Sequence, residues 1–222
     1  MKSEQRKEKE AGTLREEIDR LATAGESRQA QALLGKLWKQ EAGPKTAGFV
    51  VSRFETLRPT LRLRSCRVAI LRSFTVEPVV PVVRSAAMVG GIDPVVWVGN
   101  FNAYAQEILD ENSGLYAFAP DIVLLAVQTR DVAPRLWNDF TELSQAEVGA
   151  AIGGVIETFE NLIEAFRSRS KAHLILHSLE GPLFNSQGLL DSRVETSQVA
   201  SIREMNQGLW SLSHKYPGVY IL

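Results

Sequence analysis

The chain has 222 residues, 45% of them hydrophobic and 23% charged, with a formal net charge of −1. This is ordinary globular composition, without the basic excess that nucleic-acid binding leaves in a sequence. A single cysteine, Cys66, excludes an internal disulfide and a cysteine-rich metal site, and it fits a reducing compartment.

Residues 1 to about 60 read as helical. "KSEQRKEKEAGTLREEIDRL" mixes basic and acidic residues along a solvated first helix and lacks the apolar core of a signal peptide. "RQAQALLGKLWKQ" follows, with Ala30, Leu33, Leu34, Leu37 and Trp38 on one helical face. Gly43-Pro44 breaks it, and "AGFVVSRFETL" reads as a third helix. Residues 1–60 are therefore expected to form a helical cap on a main domain spanning 61–222.

From Cys66 the pattern changes. "CRVAIL", "PVVWVG", "IVLLAV", "HLILH" and "VYIL" are short apolar runs without alternation, the mark of strands buried on both faces. All are far shorter than the ~18 residues of a membrane span, so the sequence reads as soluble and cytoplasmic. After the first strand, Pro78 and Pro81 delay a helix and leave 73–77 as an exposed loop. Helical stripes separate later strands: Val148, Ile152, Val155, Phe159, Ile163 and Phe166, then Val199, Ile202, Met205, Leu209 and Leu212. Ser144 and Glu147 form a capping box at the start of the former. The alternation predicts an α/β three-layer sandwich with a parallel sheet of flavodoxin type, preceded by the small helical cap.

Ligands of such sheets bind beyond the carboxyl ends of the strands. Four polar stretches fall there: 72–75, 99–102, 128–131 and 177–180. Ser73 reads either as a nucleophile, with His177 as its base, or as an ordinary turn residue in which Ser73 or Thr75 caps the following helix and His177 satisfies a local carbonyl. Glu77 reads as a solvated residue at the helix start, Arg130-Asp131 as an ion pair or, alternatively, Arg130 as an anion ligand. Asn100, Asn102 and Gln106 are donors for a substrate or ordinary turn residues. Trp97 and Trp137 read as packing residues. Metal-ligand spacing, a Walker loop and a dinucleotide fingerprint are absent.

"LRPTLRLRSCRV", "AILRSFTVEPVVPVVR" and "VGNFNAYAQEILDENSGLYAFAPDIVLLAVQTRDV" together resemble the amino-terminal region of FkbH-like proteins, over most of 24–222. "SGLYAFAPDIVLLAVQTRD" is the most specific part. The resemblance implies an SGNH-hydrolase-type α/β domain that precedes a phosphatase-like domain of the haloacid dehalogenase superfamily. It also implies a parent protein that takes a glyceryl unit from 1,3-bisphosphoglycerate and loads it on an acyl carrier protein in polyketide-type biosynthesis. Ser73 matches the SGNH serine without the Gly-Asp that precedes it in that motif, and Gly99 matches the oxyanion glycine. Gln128-Thr129-Arg130-Asp131 contains no oxyanion asparagine, and the late Asp-x-x-His block has no counterpart.

The Asp-x-Asp nucleophile motif of the phosphatase-like domain is absent too, and the ending on "VYIL" reads as a dissected domain. No cofactor is expected in this chain; Mg belongs to the phosphatase-like domain. The leading expectation is an accessory domain that positions a small phosphorylated three-carbon substrate or docks the carrier protein. Its rim comprises Ser73, Thr75, Gly99, Asn100, Asn102, Gln128 and Arg130, and neither nucleic acid nor membrane is expected as a partner. The alternatives are an acyl-ester hydrolase or acyltransferase using Ser73, with the Gly99 N–H as oxyanion donor, and a structural or dimerisation module.

Overall fold

The computed structural model describes residues 2–222, with side chains from Glu10 onward. The chain packs as two compact units, one made of residues up to 66 with 76–96, the other of 67–75 with 97–222.

The first unit contains α1 (Lys2–Thr23), α2 (Ser27–Gln40), α3 (Pro44–Leu57) and α4 (Val80–Val89). Its core joins Ile18, Leu34, Leu37, Phe54 and Met88, all essentially inaccessible to solvent. The stripe on α2 divides as its period dictates: Ala30, Leu34 and Leu37 are buried, while Leu33 and Trp38 flank them half-buried. The buried hydroxyl of Ser85 on α4 donates to the Ala47 carbonyl on α3 at 3.0 Å. Ion pairs Arg53–Asp19, Arg58–Asp93 and Arg84–Glu55 lie around this core. α4 starts at Val80 with Pro81 in its first turn, where a missing N–H costs nothing. The preceding loop is less open than its sequence implies. Thr75 and Glu77 are exposed, but Ser73 and Val76 are buried.

Five strands form a parallel sheet flanked by helices, a three-layer α/β sandwich. They are β1 (Arg64–Arg72), β2 (Ile92–Phe101), β3 (Ile122–Ala126), β4 (His173–Leu176) and β5 (Val219–Ile221), in the order β2-β1-β3-β4-β5. Register runs from Val68 beside Ile122 and from Val123 beside Leu174. Ala69, Ile70 and Leu71 are consecutive and all buried, as a strand covered on both faces requires. In the second unit the helices are α5 (Tyr104–Leu109), α6 (Gly114–Phe118), α7 (Thr129–Val132), α8 (Pro134–Asn138), α9 (Gln145–Arg169) and α10 (Gln198–Lys215).

The apolar stripe of α9 is buried in full, and four of the five stripe residues of α10 are buried with it. α9 begins at the expected capping box: the Glu147 N–H donates to the Ser144 hydroxyl oxygen, and the Glu147 carboxylate accepts the Ser144 N–H. Those bonds and Arg135 hold the Glu147 carboxyl down to about 2. Among the described residues no helix is long and apolar enough to cross a membrane.

Candidate ligand site at the sheet edge

In the order 2-1-3-4-5, the chain leaves β1 and β3 toward different neighbours. The crevice between their carboxyl ends is the topological switch point at which such sheets bind ligands. Ser73 and Gln128 meet there. The Ser73 N–H continues the β1/β3 ladder by donating to the Ala126 carbonyl at 3.0 Å. Its hydroxyl accepts the backbone N–H of Gln128 at 2.9 Å, and the residue is 3% exposed.

Next to this bond, Thr129 is closed off by the loop after β4. Its hydroxyl donates to the Glu180 carbonyl at 2.7 Å, and its N–H donates to the Glu180 carboxylate at 3.2–3.3 Å. That loop is held in turn by Asn206 of α10, whose amide pairs with both the N–H and the carbonyl of Leu179 at 2.8 Å each. Farther along, Gln198 accepts the Ser186 N–H and donates to the carbonyls of Leu136 and Trp137.

His177 follows β4 and donates its backbone N–H to Leu125. Its ring meets Phe74 edge-on, with centroids 6.3 Å apart. Its Nδ1 is buried without a hydrogen-bond partner, and so is Oε1 of Gln128. No hydrogen bond joins His177 to Ser73, so the nucleophile–base contact that hydrolysis requires is not formed. The capping alternative for Ser73 and Thr75 also fails. Val79 occupies the N-cap of α4, without a side-chain capping bond. The His177 ring makes no hydrogen bond to a local carbonyl either, and its buried Nδ1 has no partner.

The remaining expected residues divide between packing and solvent. Gly99 is buried, and a Cβ there would lie 3.0 Å from Leu71 Cδ2 and 3.4 Å from the Trp97 ring. Close packing thus accounts for this glycine, and Trp97 stacks on Phe118 as a packing residue. Asn102 has φ of 54° and donates its N–H to the Arg72 carbonyl; asparagine tolerates this left-handed turn better than most residues. Its side chain, like those of Asn100, Gln106, Thr75 and Arg130, is exposed. Arg130 and Asp131 form no ion pair, because adjacent residues of a helix such as α7 point in different directions.

Three participants carried no role in the sequence reading. Arg72 places its guanidinium against the Phe101 ring, 5.7 Å from its centroid, and donates to the Gly99 carbonyl at 3.3 Å. Glu180 closes Thr129. Tyr104 is half-buried near Asp131, and desolvation first, then that carboxylate, raises its phenol above the ordinary tyrosine range. Arg72 and Glu180 lie within the strand-end stretches 72–75 and 177–180, but only the fold assigns them partners, and Tyr104 lies outside those stretches altogether.

Two buried unspent groups, Gln128 Oε1 and His177 Nδ1, call for hydrogen-bond partners, and the Ser73 hydroxyl proton is uncommitted to any protein acceptor. Arg72 ends β1, and the exposed Arg130 lies on α7 just after β3. Among the described residues no group of three or more His, Cys, Asp or Glu stands where it could hold a metal ion.

No family model and no curated protein matches the chain. Among solved structures, it is similar to the N-terminal part of the protein BF1531 from Bacteroides fragilis, a structure containing a phosphatase domain complexed with Mg. The TM-score is 0.59 at 16% identity, over 72% of this chain and 40% of that one. The likeness is one of fold, and the chain spans well under half of that structure. A cobalamin-binding protein from Desulfitobacterium hafniense aligns over 91% of this chain and 94% of its own, at 13% identity and a TM-score of 0.44. Fold and geometry thus define a parallel α/β domain with a polar cluster at the carboxyl ends of β1 and β3, in which no hydrogen bond joins Ser73 to His177.

Proposed function

We propose that this chain is the SGNH-like accessory domain of an FkbH-like protein and that it binds rather than cleaves. Its sheet edge holds a small phosphorylated three-carbon unit, and the domain presents that unit to an acyl carrier protein. The phosphoryl chemistry and its Mg belong to a separate phosphatase-like domain, in a cytoplasmic setting.

One observation carries the reading: the Ser73 hydroxyl is buried and accepts the Gln128 N–H, with no imidazole bonded to it. A serine nucleophile needs the opposite arrangement, an accessible oxygen whose proton is taken by a base. The unspent Gln128 and His177 groups and the arginines suit a hydroxylated anion. The fold likeness to the N-terminal part of a phosphatase-domain protein supports the domain context.

The test is calorimetric titration of the chain with 3-phosphoglycerate, alongside an aryl-ester assay. Saturable binding weakened by Arg130→Ala, with equal ester background for the parent and Ser73→Ala, is the expected result. Ester turnover that disappears in Ser73→Ala overturns the reading in favour of a hydrolase.

A further inference from the structure

Five arginines of the helical unit are paired with carboxylates, Arg15 with Glu41, Arg20 with Glu17, Arg53 with Asp19, Arg58 with Asp93 and Arg84 with Glu55. Among the described residues Arg62 and Arg64 are not, and α2 carries a larger unpaired set. Between Ser27 and Gln40 it carries Arg28, Lys36 and Lys39 and no acidic residue. All three cations are exposed, and among the described residues none is paired with a carboxylate. The glutamates that flank the helix are engaged elsewhere, Glu26 with Gln29 and Glu41 with Arg15. α4, which faces α2, also lacks an acidic residue.

The three cations lie within about a quarter-turn of one another around the helix, over a rise of roughly 16 Å. They border a groove of about 610 Å³ whose floor includes Gly35 and Val89. Gly35 adds no side chain to the lining, and a Cβ there would make ordinary contact with Val89 Cγ1 at 3.7 Å. A small-residue floor bordered by cations fits a rod of opposite charge.

We propose that this groove is the docking face for an acidic helix of a partner protein, about three turns long, with carboxylates spaced to meet Arg28, Lys36 and Lys39. A membrane surface fits poorly, since no large apolar side chain of α1–α3 is strongly exposed among the described residues. Single-stranded nucleic acid fits poorly as well, because no exposed aromatic lines the groove for bases to stack on. The choice of carrier protein as probe rests on the function proposed above; the charge argument does not.

The experiment titrates the isotope-labelled full chain with an acyl carrier protein and follows backbone amide shifts. The expected shifts concentrate on 28–40 and Val89. Affinity falls about tenfold or more in Lys36→Glu/Lys39→Glu and weakens steeply with salt. Both lysines are exposed, and an unchanged far-UV spectrum and melting temperature confirm that the variant folds. Shifts confined to the sheet edge, with the double variant binding normally, overturn the groove but leave carrier docking standing. Absence of carrier binding overturns both. Binding of transfer RNA or of anionic phosphatidylserine vesicles with the α2 footprint, without carrier binding, reassigns the groove to another polyanion and also overturns the proposal.

Discussion

The backbone N–H of Gln128 donates to the hydroxyl of Ser73, 55 residues earlier, across the carboxyl end of the β1/β3 seam. One bond therefore ties the ends of β1 and β3 together and uses one acceptor position of the Ser73 oxygen. Ser73→Ala leaves a largely buried N–H without its acceptor, and the expected destabilisation is about 1–3 kcal/mol. Urea unfolding measures it. Background ester hydrolysis is expected to be unchanged, and a variant as stable as the parent removes the structural role assigned to this hydroxyl.

Thr129 provides a second measurement on the same edge. Thr129→Val keeps the shape but leaves the Glu180 carbonyl without the 2.7 Å hydroxyl donor. The expected loss is about 1–2 kcal/mol, with faster amide exchange across 177–181. Exchange rates identical to the parent show that the loop is held by something else.

Asn206 is the anchor of that loop, since its amide satisfies both backbone groups of Leu179. Asn206→Leu removes two bonds at once, and the expected cost is about 2–4 kcal/mol if neither group finds water. Asn206→Asp restores only the acceptor half and falls between the two. Equal stability of the three proteins rules out the clamp.

Gly99→Ala tests whether packing or chemistry keeps glycine after β2. Its Cβ would lie 3.0 Å from Leu71 Cδ2, and overpacking of this kind costs about 1–3 kcal/mol. A drop in melting temperature with intact ligand binding fits packing. Lost binding at unchanged stability assigns the position to the site instead.

The acid limb of the stability curve should contain a contribution from Glu147. Its folded carboxyl lies at about 2 against an ordinary 4.5, chiefly because the Ser144 backbone and hydroxyl hold the ionised form. A depressed carboxyl contributes stability above its unfolded value and loses it as pH falls through the folded one. Melting temperatures of the parent and Glu147→Ala should thus converge between about pH 4.5 and 2. Ser144→Ala, which removes the cap itself, is expected to cost about 1 kcal/mol at neutral pH. A gap between parent and Glu147→Ala that persists undiminished to pH 2 rules out the linkage.

The strands and the long helices were readable because burial leaves a periodic trace. A strand covered on both faces needs an unbroken apolar run, and Ala69–Leu71 supply one. α9 needs its stripe and its capping box, and both are local. The site was readable only as four loop addresses. Its working bonds join Ser73 to Gln128, Thr129 to Glu180 and Leu179 to Asn206, at separations of 55, 51 and 27 residues. A serine or asparagine committed to such a distant partner has the same neighbours in sequence as one left in water. Hence Ser73 read as nucleophile or cap, and Asn206 did not stand out at all.

Two tethers of the segment after β4 come from α10: Asn206 grips Leu179, and Gln198 grips Ser186. A third comes from Thr129, just after β3, which holds Glu180. Between and beyond them, Leu183, Phe184 and Leu189 stand 86–94% exposed. The segment is therefore stretched between α10 and the end of β3, so a rotation or sliding of α10 would strain the Glu180–Thr129 bonds and shift the exposed apolar side chains at the same time.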